Sequence, residues 1–178
     1  MYFRVIGAFF VILASTGIGL YFGSNVKDRL EKLQMLKQQF TAIKSDIGYS
    51  KTTFPEAMQH MAEKLSGNRD CYEFANFYEE LSKQLIERSG ISLREIWENA
   101  VEKHLKKTTL TASDLQLLSS LGGQFGGLDR DMQLKTIDLY LVRLEEDRIL
   151  EVQKAGEKMR LYRTLGLLAG AFLVVVML

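Results

Sequence analysis

Residues 117–133 read LLSSLGGQFGGLDRDMQ and contain four of the chain's fourteen glycines, arranged as two pairs. A glycine cluster can bind phosphate at the start of a helix, allow two helices to approach closely, or turn the chain. Apolar residues before the pairs have helical spacing, and aspartates follow them. The role of these glycines therefore decides between two classes of protein, a nucleotide-binding enzyme and an all-helical scaffold.

A phosphate-binding loop is the less favoured interpretation. Such loops need G-x-x-x-x-G-K-[ST], or G-x-G-x-x-G between a strand and a helix. Here no lysine follows the glycines, no strand precedes them, and Asp129 and Asp131 would repel phosphate. A membrane-bound nucleotide-binding enzyme is retained only as the alternative.

A packing and turning role agrees better with the spacing. Gly122 and Gly126, and likewise Gly123 and Gly127, are four residues apart, so each pair would share a helix face. Without side chains, these faces would let a neighbouring backbone come close. Gly126 or Gly127 could also end the helix in the left-handed conformation, before a helix that begins near Asp129.

Helical periodicity extends through the middle of the chain. Apolar residues recur at spacings of three and four, and no proline follows Pro55. The stripes are Leu30, Leu33, Leu36, Phe40, Ile43 and Ile47; Phe74, Phe77, Leu81 and Leu85; Leu93, Ile96, Trp97, Ala100, Val101 and Leu105; Leu115, Leu118, Leu121 and Phe125; and Met132, Ile137, Leu141 and Leu144. The predicted fold is all-α: a single antiparallel bundle of five to six helices.

Three helix starts carry the same capping signal, a hydroxyl three residues before a carboxylate. The hydroxyl can accept from the backbone N–H of the third helical residue while the carboxylate reaches back to the cap. The three pairs are Thr53 and Glu56, Ser92 and Glu95, and Thr111 and Asp114.

Both ends of the chain contain uncharged apolar segments, residues 5–22 and 165–178. About 20 apolar residues cross a bilayer as a helix, so the first segment is long enough and the second is short. For the first, a cleaved signal peptide is the alternative to a retained anchor. The predicted domains are an N-terminal transmembrane helix, 1–24, a helical bundle, 25–160, and a C-terminal transmembrane helix, 161–178.

Basic residues predict the orientation of these segments. Lysines and arginines are concentrated on the inner flanks, and only Arg4 and the terminal amine lie outside the first segment. The inner residues are Lys27, Arg29, Lys32, Lys37, Lys154, Lys158, Arg160 and Arg163. By the positive-inside rule, the bundle is cytoplasmic and both termini lie on the far side of the membrane.

The sequence offers little for catalysis or for metal and nucleic-acid binding. The formal net charge of +1 does not favour nucleic acid. His60, His104 and the single Cys71 lack partners at ligand spacing, so we predict no metal, no cofactor and no enzymatic activity. The acidic run Glu145, Glu146 and Asp147 is either a solvated face or a contact surface for a basic partner.

The order of several motifs resembles the stage III sporulation protein AB family, a group of membrane proteins of endospore-forming bacteria. The resemblance covers nearly the whole chain. Its motifs are YSKTTFPEA at 49–57, GISLREIW at 90–97, LGGQFGGLDRDMQ at 121–133 and LYRTLG at 161–166. That family is similar to the inner-membrane platform protein of type II secretion systems and type IV pili. Residues 123–128 resemble the platform's Gly-Glu-x-x-Gly-x-Leu signature in a relaxed form, with Gln124 in place of the glutamate.

The resemblance implies a role in a channel-like complex that joins mother cell and forespore. The implied partners are other proteins of that complex, including a secretion-type ATPase, together with membrane lipid; self-association stays open. The implied location is the mother-cell membrane that faces the forespore, which is the outer forespore membrane, with the bundle in the mother-cell cytoplasm. A generic membrane-tethered coiled coil is the remaining alternative.

Overall fold

A computed structural model describes the backbone of residues 2–87, 90–126 and 129–177, and the side chains of residues 25–87, 90–126 and 129–156. Within these ranges the chain forms six α-helices, one short 3-10 helix at Arg69–Cys71 and no strand. The helices are α1 Tyr2–Gly48, α2 Phe54–Leu65, α3 Tyr72–Ile86, α4 Leu93–His104, α5 Ala112–Phe125 and α6 Arg130–Met177. The prediction of an all-α fold with five to six helices is confirmed.

The chain divides into two compact units. One consists of residues 32–146, and the other combines residues 1–31 with residues 147–178. In the second unit, Arg29 on α1 forms an ion pair with Glu151 on α6, with 2.8 Å between Nη1 and Oε2. The predicted domain boundaries at 24 and 160 stay predictions.

The two predicted membrane segments, 1–24 and 161–178, lie outside the residues whose side chains are described. Across the described part of the chain, no helix combines the length and apolar character needed to cross a membrane.

The core of residues 32–146 is built from the apolar stripes of all six helices. On α1 the buried residues recur every three or four positions, as an amphipathic helix requires. The largest fully buried side chains are Trp97, Tyr78, Phe40, Phe74, Phe77, Phe125, Leu33, Leu36, Ile43, Ile47, Met58 and Leu81. Between α1 and α6, the rings of Phe40 and Tyr140 pack with their centroids 4.6 Å apart.

Two tyrosines place hydroxyl groups inside this core. The Tyr78 hydroxyl donates to Oε1 of buried Gln39 at 3.1 Å. The Tyr140 hydroxyl is also buried, but it makes no hydrogen bond among the described residues. Burial raises the pKa of both tyrosines well above the usual value, because the charged phenolate would lose its hydration.

These tyrosines should make the bundle sensitive to alkali. Below about pH 10 a tyrosine is neutral in the folded and the unfolded chain, so its contribution is constant. Above that pH the unfolded tyrosine loses its proton while buried Tyr78 and Tyr140 keep theirs. The free energy of unfolding should therefore fall by about 1.4 kcal/mol per pH unit for each tyrosine. Guanidinium unfolding of the full chain in detergent, followed by the fluorescence of its one tryptophan, measures this slope.

Tyr140→Phe is the matched variant for this test. It removes a buried hydroxyl that lacks a hydrogen bond, so stability at pH 7 should be unchanged or slightly higher. Above pH 10 the decrease in the free energy of unfolding with pH should be smaller in the variant by about 1.4 kcal/mol per pH unit, the contribution of one tyrosine. An identical alkaline slope in the parent and the variant would show that Tyr140 does not stay neutral in the folded protein.

Candidate interaction surface

A close crossing of α4 and α5 is organised by Gly122 and Trp97. Gly122 is buried, and a Cβ built on it would lie only 2.4 Å from Cβ and 2.6 Å from Cγ of Trp97. The indole Nε1 of Trp97 donates to the backbone carbonyl of Leu118 at 2.9 Å. The absence of a side chain at Gly122 therefore lets the tryptophan lie directly on α5, instead of opening a cleft for phosphate.

Three aromatic rings pack against Trp97. Its ring meets Phe77 edge-on with centroids 5.4 Å apart, and Phe125 lies at 5.7 Å. Phe54, at the start of α2, packs against Phe125 at 4.8 Å and Trp97 at 6.2 Å. The crossing thus joins α2, α3, α4 and α5 in one aromatic cluster.

The other predicted packing glycines behave differently from Gly122. Gly123 is exposed, and a Cβ there would approach only the guanidinium of Arg94, at 2.8 Å from Nε. Gly126 has nothing within 4 Å, and its φ of −64° and ψ of 116° are extended. The predicted close approach at Gly126 is therefore wrong, and of the two residues predicted to adopt the left-handed conformation, Gly126 and Gly127, Gly126 does not adopt it. Gly127 lies outside the described residues.

The predicted capping residues stand at the starts of α2, α4 and α5. The bond set is reciprocal at α5: the Thr111 N–H donates to Oδ2 of Asp114 at 2.8 Å, and the Asp114 N–H donates to the Thr111 hydroxyl at 3.3 Å. At α4 the Glu95 N–H donates to the Ser92 hydroxyl, also at 3.3 Å.

At α2 the carboxylate of Glu56 accepts from both the N–H and the hydroxyl of Thr53, at 2.9 and 2.7 Å. These bonds lower the pKa of Glu56, because they stabilise its charged form. The cap thus depends on an ionised carboxylate, and its contribution decreases as the pH falls through that lowered pKa.

The acidic run is divided by the fold. Oε2 of Glu145 lies 3.0 Å from Nζ of Lys37 on α1, so this carboxylate forms an ion pair within the bundle. Glu146 is exposed, and Asp147 belongs to the other compact unit. Within residues 32–146, Glu146 is therefore the member of the run that extends into solvent, and its role as a partner contact stays a prediction.

An exposed face of α6 was not predicted. Leu139 and Val142 are 61% and 57% exposed, although the helix that carries them packs closely on α1. Exposed Lys135 and Glu146 lie on the same face, one turn before and one turn after this apolar pair. We call Lys135, Leu139, Val142 and Glu146 the α6 face. Met132, which the apolar spacing predicted as a core residue, is 47% exposed, and that assignment was wrong.

Another group of titratable side chains lies between α3 and α4. Nζ of Lys103 lies 2.7 Å from Oε2 of Glu80 and lowers the pKa of that carboxyl, and His104 Nε2 lies 3.5 Å from the same oxygen. Burial raises the pKa of the Cys71 thiol. Across the described ranges, no group of three or more histidine, cysteine, aspartate or glutamate side chains is arranged to hold a metal ion.

Comparison with known proteins identifies the family. The family model of stage III sporulation protein AB matches residues 4–178. The chain belongs to the stage III sporulation protein AB family. The stage III sporulation protein AB of Bacillus subtilis (strain 168) is 25% identical over 175 residues, which cover 98% of this chain and 99% of the relative. The resemblance carried by the four sequence motifs is thus confirmed.

A solved structure of a stage III sporulation protein AB supports the same family assignment. It superposes with a TM-score of 0.60 at 25% identity, covering 72% of this chain and 97% of the solved chain. The stage III sporulation protein AB family is a family of sporulation proteins, which agrees with the sporulation role implied by the motifs.

Proposed function

We propose that this protein is a non-enzymatic adaptor of a sporulation complex, anchored in the membrane at both ends, which couples a secretion-type ATPase to membrane components. Family membership supports the sporulation context. The uncharged segments 5–22 and 165–178 and their basic inner flanks support membrane anchoring, with the bundle in the mother-cell cytoplasm. The proposed membrane is the outer forespore membrane.

The observation that carries the adaptor role is the apolar centre of the α6 face. Single exposed apolar residues are common, but here two lie one turn apart on one helix and are bracketed by charged residues. This arrangement resembles protein interfaces, which place an apolar centre inside a polar rim. The neighbouring core is filled by Tyr140 and Leu144, so the bundle itself does not use Leu139 and Val142.

Leu139→Ser should weaken capture of the cognate secretion-type ATPase by the full chain about tenfold or more, because interface centres contribute most of the binding energy. Ile86→Ser is the matched control: Ile86 is 57% exposed, close to the 61% of Leu139, but it lies at the end of α3. Capture is measured with purified ATPase and the full chain in lipid nanodiscs.

The parent chain has to bind the ATPase for the proposal to stand. No binding by the parent, or ATP hydrolysis by the chain alone, would refute the adaptor role. Equal losses in Leu139→Ser and Ile86→Ser would assign the effect to general surface properties instead of the α6 face.

A further inference from the structure

The α6 face has a fixed order of side chains. Reading along the helix, it presents a base, two apolar residues and an acid, at Lys135, Leu139, Val142 and Glu146. The spacings are four, three and four residues, which is the spacing of the seam positions in a helix pair. One partner helix can therefore contact all four side chains at once.

Two carboxylates beside the α6 face already form ion pairs within the bundle. Asp138 and Glu145 form ion pairs with lysines of α1, at 2.5 and 3.0 Å. Lys135 and Glu146 are exposed at the two ends of the apolar pair, and Arg143 is exposed at its edge. A partner therefore meets a basic end and an acidic end, separated by three turns of helix.

A second copy of this chain is a poor occupant of the face. In the proposed function both copies are anchored in one membrane at the same ends, so their α6 helices would run parallel. In a parallel, in-register pair, Lys135 would lie opposite Lys135 of the other copy, and Glu146 opposite its Glu146. Like charges directly opposite one another are destabilising, and only two apolar layers would oppose that effect.

We propose that the α6 face binds one helix of a different protein, whose two apolar residues contact Leu139 and Val142 while an acid faces Lys135 and a base faces Glu146. The proposal rests on the proposed function, in which that protein is the secretion-type ATPase. It adds the chemistry of the recognised segment: a mixed-charge amphipathic helix with spacings of four, three and four.

Three alanine-based helical peptides test this chemistry. All carry two leucines at the central seam positions; one has an acid and a base at the ends, one has two acids, and one has two bases. Fluorescence anisotropy measures their binding to the full chain in nanodiscs. The mixed peptide should bind about fivefold more tightly than either like-charge peptide, because one of the two exposed charge pairs changes from repulsion to attraction. Leu139→Ala should weaken all three.

Lys135→Glu makes both ends of the face acidic, so this variant should prefer the peptide with two bases. An unspecific apolar surface would not show that reversal. Equal binding of all three peptides to the parent chain would overturn the proposal. Unchanged Trp97 fluorescence establishes that the Lys135→Glu bundle is folded, since Trp97 is fully buried.

A disulfide crosslink tests whether a second copy of this chain occupies the α6 face instead. Leu139→Cys, oxidised in membranes that contain this chain alone, should give no disulfide-linked dimer. Efficient dimer formation through residue 139 would show that a second copy covers the face, and would overturn the proposal. If the peptides show the expected preferences but the ATPase does not bind, the proposed function fails while the binding chemistry of the α6 face stands.

Discussion

Gly122→Ala should lower the free energy of unfolding by about 1–3 kcal/mol, the usual range for overpacking, although it adds a single methyl group. Alanine is the better helix former by about 0.5–1 kcal/mol, so a local effect alone would have the opposite sign. The added Cβ would lie 2.4 Å from Cβ of Trp97, which is the rigid base of a buried side chain. Relief of that clash requires α4 and α5 to separate. Guanidinium unfolding of the full chain, followed by tryptophan fluorescence, measures the loss.

Two neighbouring glycines provide matched controls. Gly126→Ala meets nothing within 4 Å at a φ of −64°, so it should be neutral or stabilising by about 0.4–1 kcal/mol through the unfolded chain. Gly123→Ala approaches only the flexible end of Arg94, which can move into solvent. A normal unfolding midpoint for Gly122→Ala would mean that close approach of the helices does not require glycine there.

The helix starts could be predicted from sequence because their signals are local. Thr53, Ser92 and Thr111 each precede a helix that begins at the next residue. A capping hydroxyl and a carboxylate three residues later interact within one turn, so no tertiary information is needed. The end of α1 at Gly48 follows the same logic, because the apolar stripe stops at Ile47.

The function of each glycine could not be predicted in this way. Helical spacing places Gly122 and Gly126 on one face only if the helix continues through both, and α5 ends between them, at Phe125. The atom that makes Gly122 necessary belongs to Trp97, which lies 25 residues earlier in the chain. Such a contact depends on how α4 packs on α5, which periodicity within one helix does not contain.

The α6 face was missed for a related reason. Ile137, Tyr140 and Leu144 form the buried stripe of α6, while Leu139 and Val142 lie between them in sequence and point outward. When apolar residues occupy both sides of a helix, spacing alone does not show which side meets the core. The structure resolves this, because the ring of Tyr140 packs on Phe40 of α1.

Trp97→Ala should cost about 3–5 kcal/mol, the usual range for removing a large buried aromatic side chain. Trp97 is fully buried and touches the rings of Phe54, Phe77 and Phe125, so the substitution leaves a cavity where four helices meet. It also removes the N–H that donates to the Leu118 carbonyl. Because Trp97 is the only tryptophan, unfolding is followed by far-ultraviolet circular dichroism.

Trp97→Phe separates the two contributions of this side chain. It keeps an aromatic ring in the cluster but leaves the Leu118 carbonyl without its donor, so its cost should lie below that of alanine and above about 1 kcal/mol. Tyr49→Ala is the control for removal of a large aromatic residue: Tyr49 is 90% exposed, and its loss should leave stability within about 0.5 kcal/mol of the parent. If Trp97→Ala also changed stability by no more than about 0.5 kcal/mol, the aromatic cluster around Trp97 would not be a main source of the bundle's stability. If Trp97→Ala and Gly122→Ala both lower the free energy of unfolding as expected, the α4–α5 crossing is a main source of the bundle's stability. Of the glycine pair at 122–123, Gly122 is then the residue that allows the close packing.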